Sequence, residues 1–238
     1  MRSARWSVVI PAFNEADRLP RYLEEVVAYF EGRGEPYEVI VVDDGSTDGT
    51  PEVVEARRHP SVRVLRLGRN SGKGAAVRAG MLAARGALRL FTDADGATPI
   101  AELKRLEPAL AAGADVAIGS RVLVDPAVSV AARPHRIAAG RVFNWLVARL
   151  GVRAVADSQC GFKAFTGAAA ERLFGPLRTR GFGFDVELLL GARAAGYRIV
   201  EVPVNWADQP GSKVTVLRHG PGMLWQIVKV RLRTGRAG

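Results

Sequence analysis

The chain has 238 residues, 48% of them hydrophobic, which is enough to bury a sizeable core and points to a globular protein. Its formal charge is +10 and its pI about 10.6, so it carries a marked excess of positive charge. No apolar run approaches the roughly 18–20 residues of a membrane span, and one cysteine with three scattered histidines (His59, His135, His219) excludes a disulfide scaffold or a structural zinc site.

Short β-rich runs alternate with helical patterns through the first half. In chain order they are "WSVVIPAF", a helix from about Asp17 to Glu31, "YEVIVVDD", a helix after Thr50, "VRVLRL", a helix from Gly74 to Arg85, "ALRLFTD", a helix after Pro99, and "ADVAIGS". This alternation predicts an α/β fold with a mostly parallel central sheet flanked by helices. In such sheets ligands lie beyond the carboxyl ends of the strands. The first five strands end in "NE", "DDGSTD", "GRNSGKG", "DADG" and "SR", five polar ends facing one crevice.

Past Arg121 the rhythm changes to a loop, a helix from about Pro134 to Leu150 and the run "DSQCGFKAF". A helix near Asp185, a strand "RIVEVPVNW" and an amphipathic segment from Met223 to Arg233 follow. With no repeat or linker, residues 1–238 read as one domain whose rhythm changes between 1–117 and 118–238. The strand that begins almost at once leaves no room for a signal peptide, so the expected location is cytoplasmic.

Several motifs carry chemistry. At "VVDDGSTDGT" an apolar strand delivers Asp43 and Asp44 into a turn, with Thr47 or Asp48 able to cap the next helix; the second acid suits a base N–H or ribose hydroxyls. In "NSGKGAAV" two glycines flank Lys73 just before a helix, so that backbone N–H groups and an ammonium can approach phosphate, without P-loop or dinucleotide-fingerprint spacing. In "DADG" strand alternation puts Asp93 and Asp95 on one side, a hard-oxygen pair suited to Mg²⁺ or Mn²⁺ bridged to phosphates. Pairing of both acids with arginines is the competing structural explanation.

Those motifs, in the order "VVIPAFNE", "VVDDGSTDGT", "GRNSGKGAAVRAG" and "FTDADGAT", resemble the GT-A fold of the inverting family 2 glycosyltransferases. The later "GSR", "DSQCGFKAF", "GFDVELLLGAR" and "VPVNWADQPGSK" are most similar to dolichyl-phosphate β-glucosyltransferases, relatives of dolichyl-phosphate mannose synthases; the resemblance runs from about residue 6 to 233. It implies that Pro11, Ala12, Phe13, Glu15, Val42 and Asp44, with Asp43 beside them, and Ala94 hold the nucleotide-sugar together with Lys73. Asp93 and Asp95 fall on the metal pair. Arg121 and Lys213 fall where donor phosphates or an acceptor phosphate are met, and one of Arg133, Arg136 and Arg141, with Arg136 favoured, meets the acceptor.

The implied reaction moves glucose from UDP-glucose to a polyprenyl or dolichyl phosphate. GDP-mannose or UDP-N-acetylglucosamine as donor, and a soluble or glycan hydroxyl as acceptor, are the alternatives. A divalent ion with Lys or Arg stabilises a departing diphosphate, and a lipid phosphate is already an anionic nucleophile that needs positioning more than deprotonation. A hydroxyl acceptor would need a base, for which Asp185 is the candidate beside Glu187; the same two acids also suit a helix N-terminus. Gln159 and Lys163 are candidates for polar contacts with the acceptor phosphate, whereas Cys160 reads as packing.

The charge distribution fits an anionic acceptor. Residues 118–163 hold seven basic and two acidic groups, and residues 209–238 hold six basic and no acidic ones, while the rest of the chain nearly balances. A nucleic-acid-binding protein would share this charge, but the basic segments lack an RNP-like aromatic pattern and helix-turn-helix spacing. The last segment, with Leu224, Trp225, Ile227 and Val228 near Lys229 and Arg231, suits either a peripheral helix at the inner membrane face or a final helix packed on the core.

Overall fold

The structure, a computed structural model, describes residues 4–131 and 155–209, together with 222, 226 and 228–230. The helix expected over Pro134–Leu150 lies outside the described residues.

The first strand, β1 (Trp6–Ala12), is buried along almost its whole length, as a parallel strand covered on both faces must be. The helix α1 (Leu19–Glu31) follows, with Pro20 in its first turn; its buried residues Leu19, Tyr22, Leu23, Val26 and Phe30 recur at three- and four-residue spacing, one apolar stripe of a helix. Next come β2 (Tyr37–Asp43), α2 (Thr50–Glu55), β3 (Val62–Arg66), α3 (Lys73–Ala83) and β4 (Leu88–Thr92). A single 3₁₀ turn (Ile100–Glu102) leads into α4 (Leu103–Ala111), and β5 (Val116–Ser120) completes the series read from the sequence.

The later part holds elements the sequence pattern did not resolve. The run "DSQCGFKAF" becomes a turn and then β7 (Phe162–Thr166), after a short β6 (Val130–Ala131). An unanticipated helix, α5 (Gly167–Phe174), follows directly, its first turn capped by the Thr166 hydroxyl, which accepts the Ala169 N–H at 3.3 Å. After α6 (Phe184–Ala194), the expected strand "RIVEVPVNW" is divided into β8 (Ile199–Pro203) and β9 (Trp206–Ala207). The break falls at Asn205, whose backbone N–H and side-chain amide both donate to the Glu102 carboxylate, at 3.0 and 2.8 Å.

Among the described residues the main sheet has seven strands in the order β3-β2-β1-β4-β7-β5-β8. All neighbours are parallel except at β7, which runs opposite to both β4 and β5. The other six strands therefore present their carboxyl ends at one edge, together with the amino end of β7. Alternate residues feed two cores: Val9, Ile40, Val42, Phe91 and Phe165 pack with α3, α5 and α6, while Val8, Ile10, Val39, Leu90 and Phe162 pack with α1 and α4. The helix α3 lies so close to the sheet that a methyl group at Gly80 would collide with Val9 and Val42. Of the C-terminal segment, Gln226 and residues 228–230 are helical, and Val230 is buried in the first of these cores, so at these positions it packs on the protein.

Candidate active site

A crevice of about 430 Å³ opens at the carboxyl edge of the sheet, large enough for a small nucleotide. Pro11, Ala12, Phe13 and Glu15 enter it from the end of β1, Asp44 from β2, Lys73 from the start of α3, and Asp93, Ala94 and Asp95 from the end of β4. Nine of the residues expected to hold a donor or a metal therefore converge there. Gly72, one of the two glycines flanking Lys73, also lines it, as do Arg18, Asn70, Ala76 and Phe182, which carried no expectation from the sequence. Arg18 grips Glu15 through two bonds of 2.6 and 2.7 Å.

Two expected contacts fall elsewhere. Val42 is fully buried and its side chain faces α3, because strand alternation turns it away from the crevice. Asp43 accepts the Ser46 N–H at 3.1 Å, closing its own turn. Asp48 shapes the same loop, accepting the N–H groups of Thr50 and Ala16 at 3.0 Å each.

Asp44 has a structural duty as well as a crevice position. Its carboxylate accepts the N–H groups of Ser71 and Gly72 at 2.7 and 2.8 Å, which moors the glycine loop ahead of α3. Burial raises its pKa despite those two bonds.

The acidic pair is held in a charge cluster. Lys73 Nζ stands 2.6 Å from Asp93 Oδ1 and 5.9 Å from the Phe182 ring centroid. Burial works against the ammonium, but Asp93, Asp185 and Asp95 outweigh it and raise the Lys73 pKa. Asp95 accepts the Ala97 N–H at 3.1 Å, and burial, reinforced by the Asp93 charge, raises its pKa. Gly161 lies against the Asp93 carboxylate, where any β-carbon would overlap it. These two hard oxygen donors, with a cation already beside them and open crevice in front, suit a divalent ion that takes its remaining ligands from phosphate and water.

Beside this cluster, at the end of β5, Arg121 makes a bidentate pair with Asp157, Nε and Nη2 at 2.7 and 2.8 Å from the two carboxylate oxygens, and its N–H adds a third bond at 3.0 Å. The guanidinium also lies over Trp206, 5.5 Å from the ring centroid. Burial opposes both charges, yet the pairing wins for each: the Arg121 pKa is raised and that of Asp157, which has no exposed surface, is lowered. Asp157 was missed in the sequence, although it is one of only two acids in the strongly basic segment 118–163.

Lys163 departs from the expected contact with an acceptor phosphate. It is fully buried in β7, 2.6 Å from Asp185 Oδ1 and 2.5 Å from the Cys160 carbonyl oxygen, with Phe91 beneath its ammonium. Asp185, read as a possible base, is thereby engaged; burial raises its pKa against the pull of Lys163 and Lys73. Glu187 accepts the N–H groups of Arg178 and Thr179, pinning the loop before α6. The Gln159 amide nitrogen is buried with no hydrogen-bond partner among the described residues. Arg133, Arg136, Arg141 and Lys213 lie outside the described residues.

Cys160 is buried and its thiol is pushed up to about 12 by that burial. The native protein should therefore resist iodoacetamide at pH 8 and react rapidly once unfolded in denaturant; fast native labelling would contradict the packing role.

The profile described as "Glycosyl transferase family 2" matches residues 7–174. The chain is 43% identical over 228 residues to dolichyl-phosphate β-glucosyltransferase of Drosophila melanogaster, covering 90% of this chain and 70% of that one. The human dolichyl-phosphate β-glucosyltransferase is 39% identical over 249 residues, covering 96% and 76%. A Trichomonas vaginalis relative of the same description is 40% identical over 220 residues, and there the match spans only 65% of the relative's length. Among solved structures, glucosyl-3-phosphoglycerate synthase of Mycobacterium tuberculosis, with Mn²⁺, UDP and glucosyl-3-phosphoglycerate, superposes with a TM-score of 0.73 at 20% identity, over 98% of this chain and 80% of that one. That likeness establishes the shared fold.

Proposed function

Because the chain belongs to glycosyl transferase family 2, we propose that it transfers glucose from UDP-glucose to a polyprenyl or dolichyl phosphate at the inner face of a membrane, using Mg²⁺ or Mn²⁺. The chain is a glycosyltransferase, and its relatives at 32–43% identity are dolichyl-phosphate β-glucosyltransferases. The observation that carries the reading is the convergence of Asp44, Lys73, Asp93 and Asp95 on one crevice at the carboxyl edge of the sheet. The likeness to a synthase crystallised with Mn²⁺ and UDP-glucose supports the choice of donor and metal.

In this reading the nucleotide lies along the ends of β1 and β2, between Pro11–Glu15 and the loop that Asp44 moors. Asp93 and Asp95 would hold the divalent ion, which when bound neutralises charge on the diphosphate as the glycosidic bond breaks. Lys73 adds a second positive charge at the same place. The acceptor phosphate oxygen attacks the anomeric carbon from the opposite face, forming the new C–O bond as UDP departs, so the configuration inverts. No general base is needed, because the nucleophile is already an anion. Arg121, locked in orientation by Asp157, is placed to draw that anion to the crevice. Residues 1–117 thus supply the donor side and 118–238 the acceptor side of one unit.

The test is transfer from labelled UDP-glucose, GDP-mannose and UDP-N-acetylglucosamine to short-chain polyprenyl phosphate, with Mg²⁺ or Mn²⁺ and with EDTA. A metal-dependent lipid product from UDP-glucose is expected. Product from another donor alone would correct the sugar, and product on hydroxyl acceptors alone would overturn the lipid reading.

Arg121→Ala should lower transfer by about 10²-fold. It should also cost roughly 2–3 kcal/mol of stability, less than for a fully buried pair because Arg121 is partly exposed. Adding Asp157→Asn should restore stability measured by urea unfolding without restoring the rate. Recovery of both together would make the pair purely structural.

A further inference from the structure

The loop that carries Phe182 into the crevice is held at both ends, and one of its holders comes from far along the chain. Phe182 lines the crevice beside Lys73, whose Nζ stands 5.9 Å from the ring centroid. The backbone just before it sits in a notch that the glycines around Lys73 leave open. The Arg180 carbonyl accepts the Ala75 N–H at 3.1 Å. A β-carbon at Gly72 would come within 2.6 Å of the Arg180 carbonyl oxygen, and one at Gly74 within 2.5 Å of that of Thr179.

Glu187 secures the near end of this loop through the N–H groups of Arg178 and Thr179. The far end is secured by Gln226. The Gly183 N–H donates to Gln226 Oε1 at 3.0 Å, and the same amide lies so close to Gly181 that a β-carbon there would fall 2.7 Å from Nε2. Val230, four residues on, is buried in the core that also holds Phe184 and Val186, so the segment bearing Gln226 is anchored in turn. Phe182 stands between two glycines, Gly181 and Gly183, which have the most backbone freedom to lose. Without the Gln226 bond that freedom would have to be given up each time a ligand enters, and apparent affinity falls by the fraction of time the loop is out of place.

We propose that Gln226 is a positioning residue for the donor. By pinning Gly183 it keeps Phe182 and Lys73 in the arrangement that receives the diphosphate, and it sets nucleotide-sugar affinity from behind the loop, without touching the ligand. The identity of that ligand rests on the proposed function; the pinning of the loop does not.

The experiment compares the full chain with Gln226→Met, which keeps the length of the side chain and loses the acceptor. Without ligand, amide exchange of the 180–184 backbone should become about tenfold faster. With UDP-glucose, Mn²⁺ and short-chain polyprenyl phosphate, the donor KM should rise by about tenfold while kcat stays within about twofold, because the bound donor restores the same loop. Calorimetry with UDP and Mn²⁺ should show the same loss of affinity. Gln226→Glu, which still accepts the Gly183 N–H, should recover both exchange and KM. Gly181→Ala reaches the contact from the other side, its methyl displacing the amide, and should reproduce the KM shift; combining it with Gln226→Met should add little. Unchanged exchange in Gln226→Met, or unchanged affinity for UDP despite faster exchange, would overturn the proposal. So would a fall in kcat at constant KM with a lower melting temperature, the pattern of a merely structural residue. If the wild type does not bind UDP at all, the proposed donor falls before any variant is made, and this inference with it. If UDP binding weakens as expected yet no lipid phosphate accepts sugar, the positioning role stands and the acceptor assignment falls.

Discussion

Asp95→Ala lowers sugar transfer by about 10²–10³-fold, the scale seen when a preorganised charge stabiliser is removed from a reacting site. Stability at neutral pH does not fall with it. The reason is the sign of the pKa shift: burial and the neighbouring Asp93 charge raise the Asp95 pKa, so its ionised form is disfavoured in the folded state. A carboxyl group with a raised folded pKa opposes folding as pH climbs above its unfolded value near 3.8, and at pH 7 its removal relieves that strain. Initial rates with UDP-glucose and thermal unfolding without metal check both halves. Near-normal turnover would remove Asp95 from the chemistry, and a sharp loss of stability would make it structural.

Lys163→Met has the opposite profile, a large loss of stability. It leaves the Asp185 carboxylate buried without its ammonium partner, a change that costs roughly 3–5 kcal/mol. In a chain of this size that lowers the melting temperature by on the order of 10 °C. Adding Asp185→Leu restores most of the loss, because two apolar side chains replace two buried charges. Urea unfolding of the single and double variants measures the coupling. A loss under about 1 kcal/mol in the single variant would mean that water reaches the pair.

The first five strands and their helices were legible because each obeys a simple local rule: buried parallel strands are continuous apolar runs, and α1 repeats its apolar residues at helical spacing. The acidic strand ends were legible for the same reason, since topology alone sends Asp44, Asp93 and Asp95 to one edge. The harder features depend on long-range partners. Nothing local in "DSQCGFKAF" says that Asp157 will meet Arg121, 36 residues earlier. Nor does it say that Lys163, a residue type that is nearly always exposed, will be sealed against Asp185. The helix α5 was passed over because "TGAAAERLF" is short and begins at a glycine; its Thr166 cap is recognisable only once the strand before it is known.

The reversed strand β7 also bears on how the chain assembles. Residues up to the end of β4 can pair through short, sequential crossovers, but β4 and β5 are not neighbours in the sheet; β7, arriving about 40 residues after β5, fills the space between them. Until it docks, two strand edges stand open, each a template for pairing with another chain. The turn that sets Asp157 against Arg121 and Gly161 against Asp93 leads directly into that strand. The finished site and the closure of both strand edges therefore depend on the same stretch of chain. A nascent chain that has not yet delivered residue 166 exposes sticky edges and lacks a finished site.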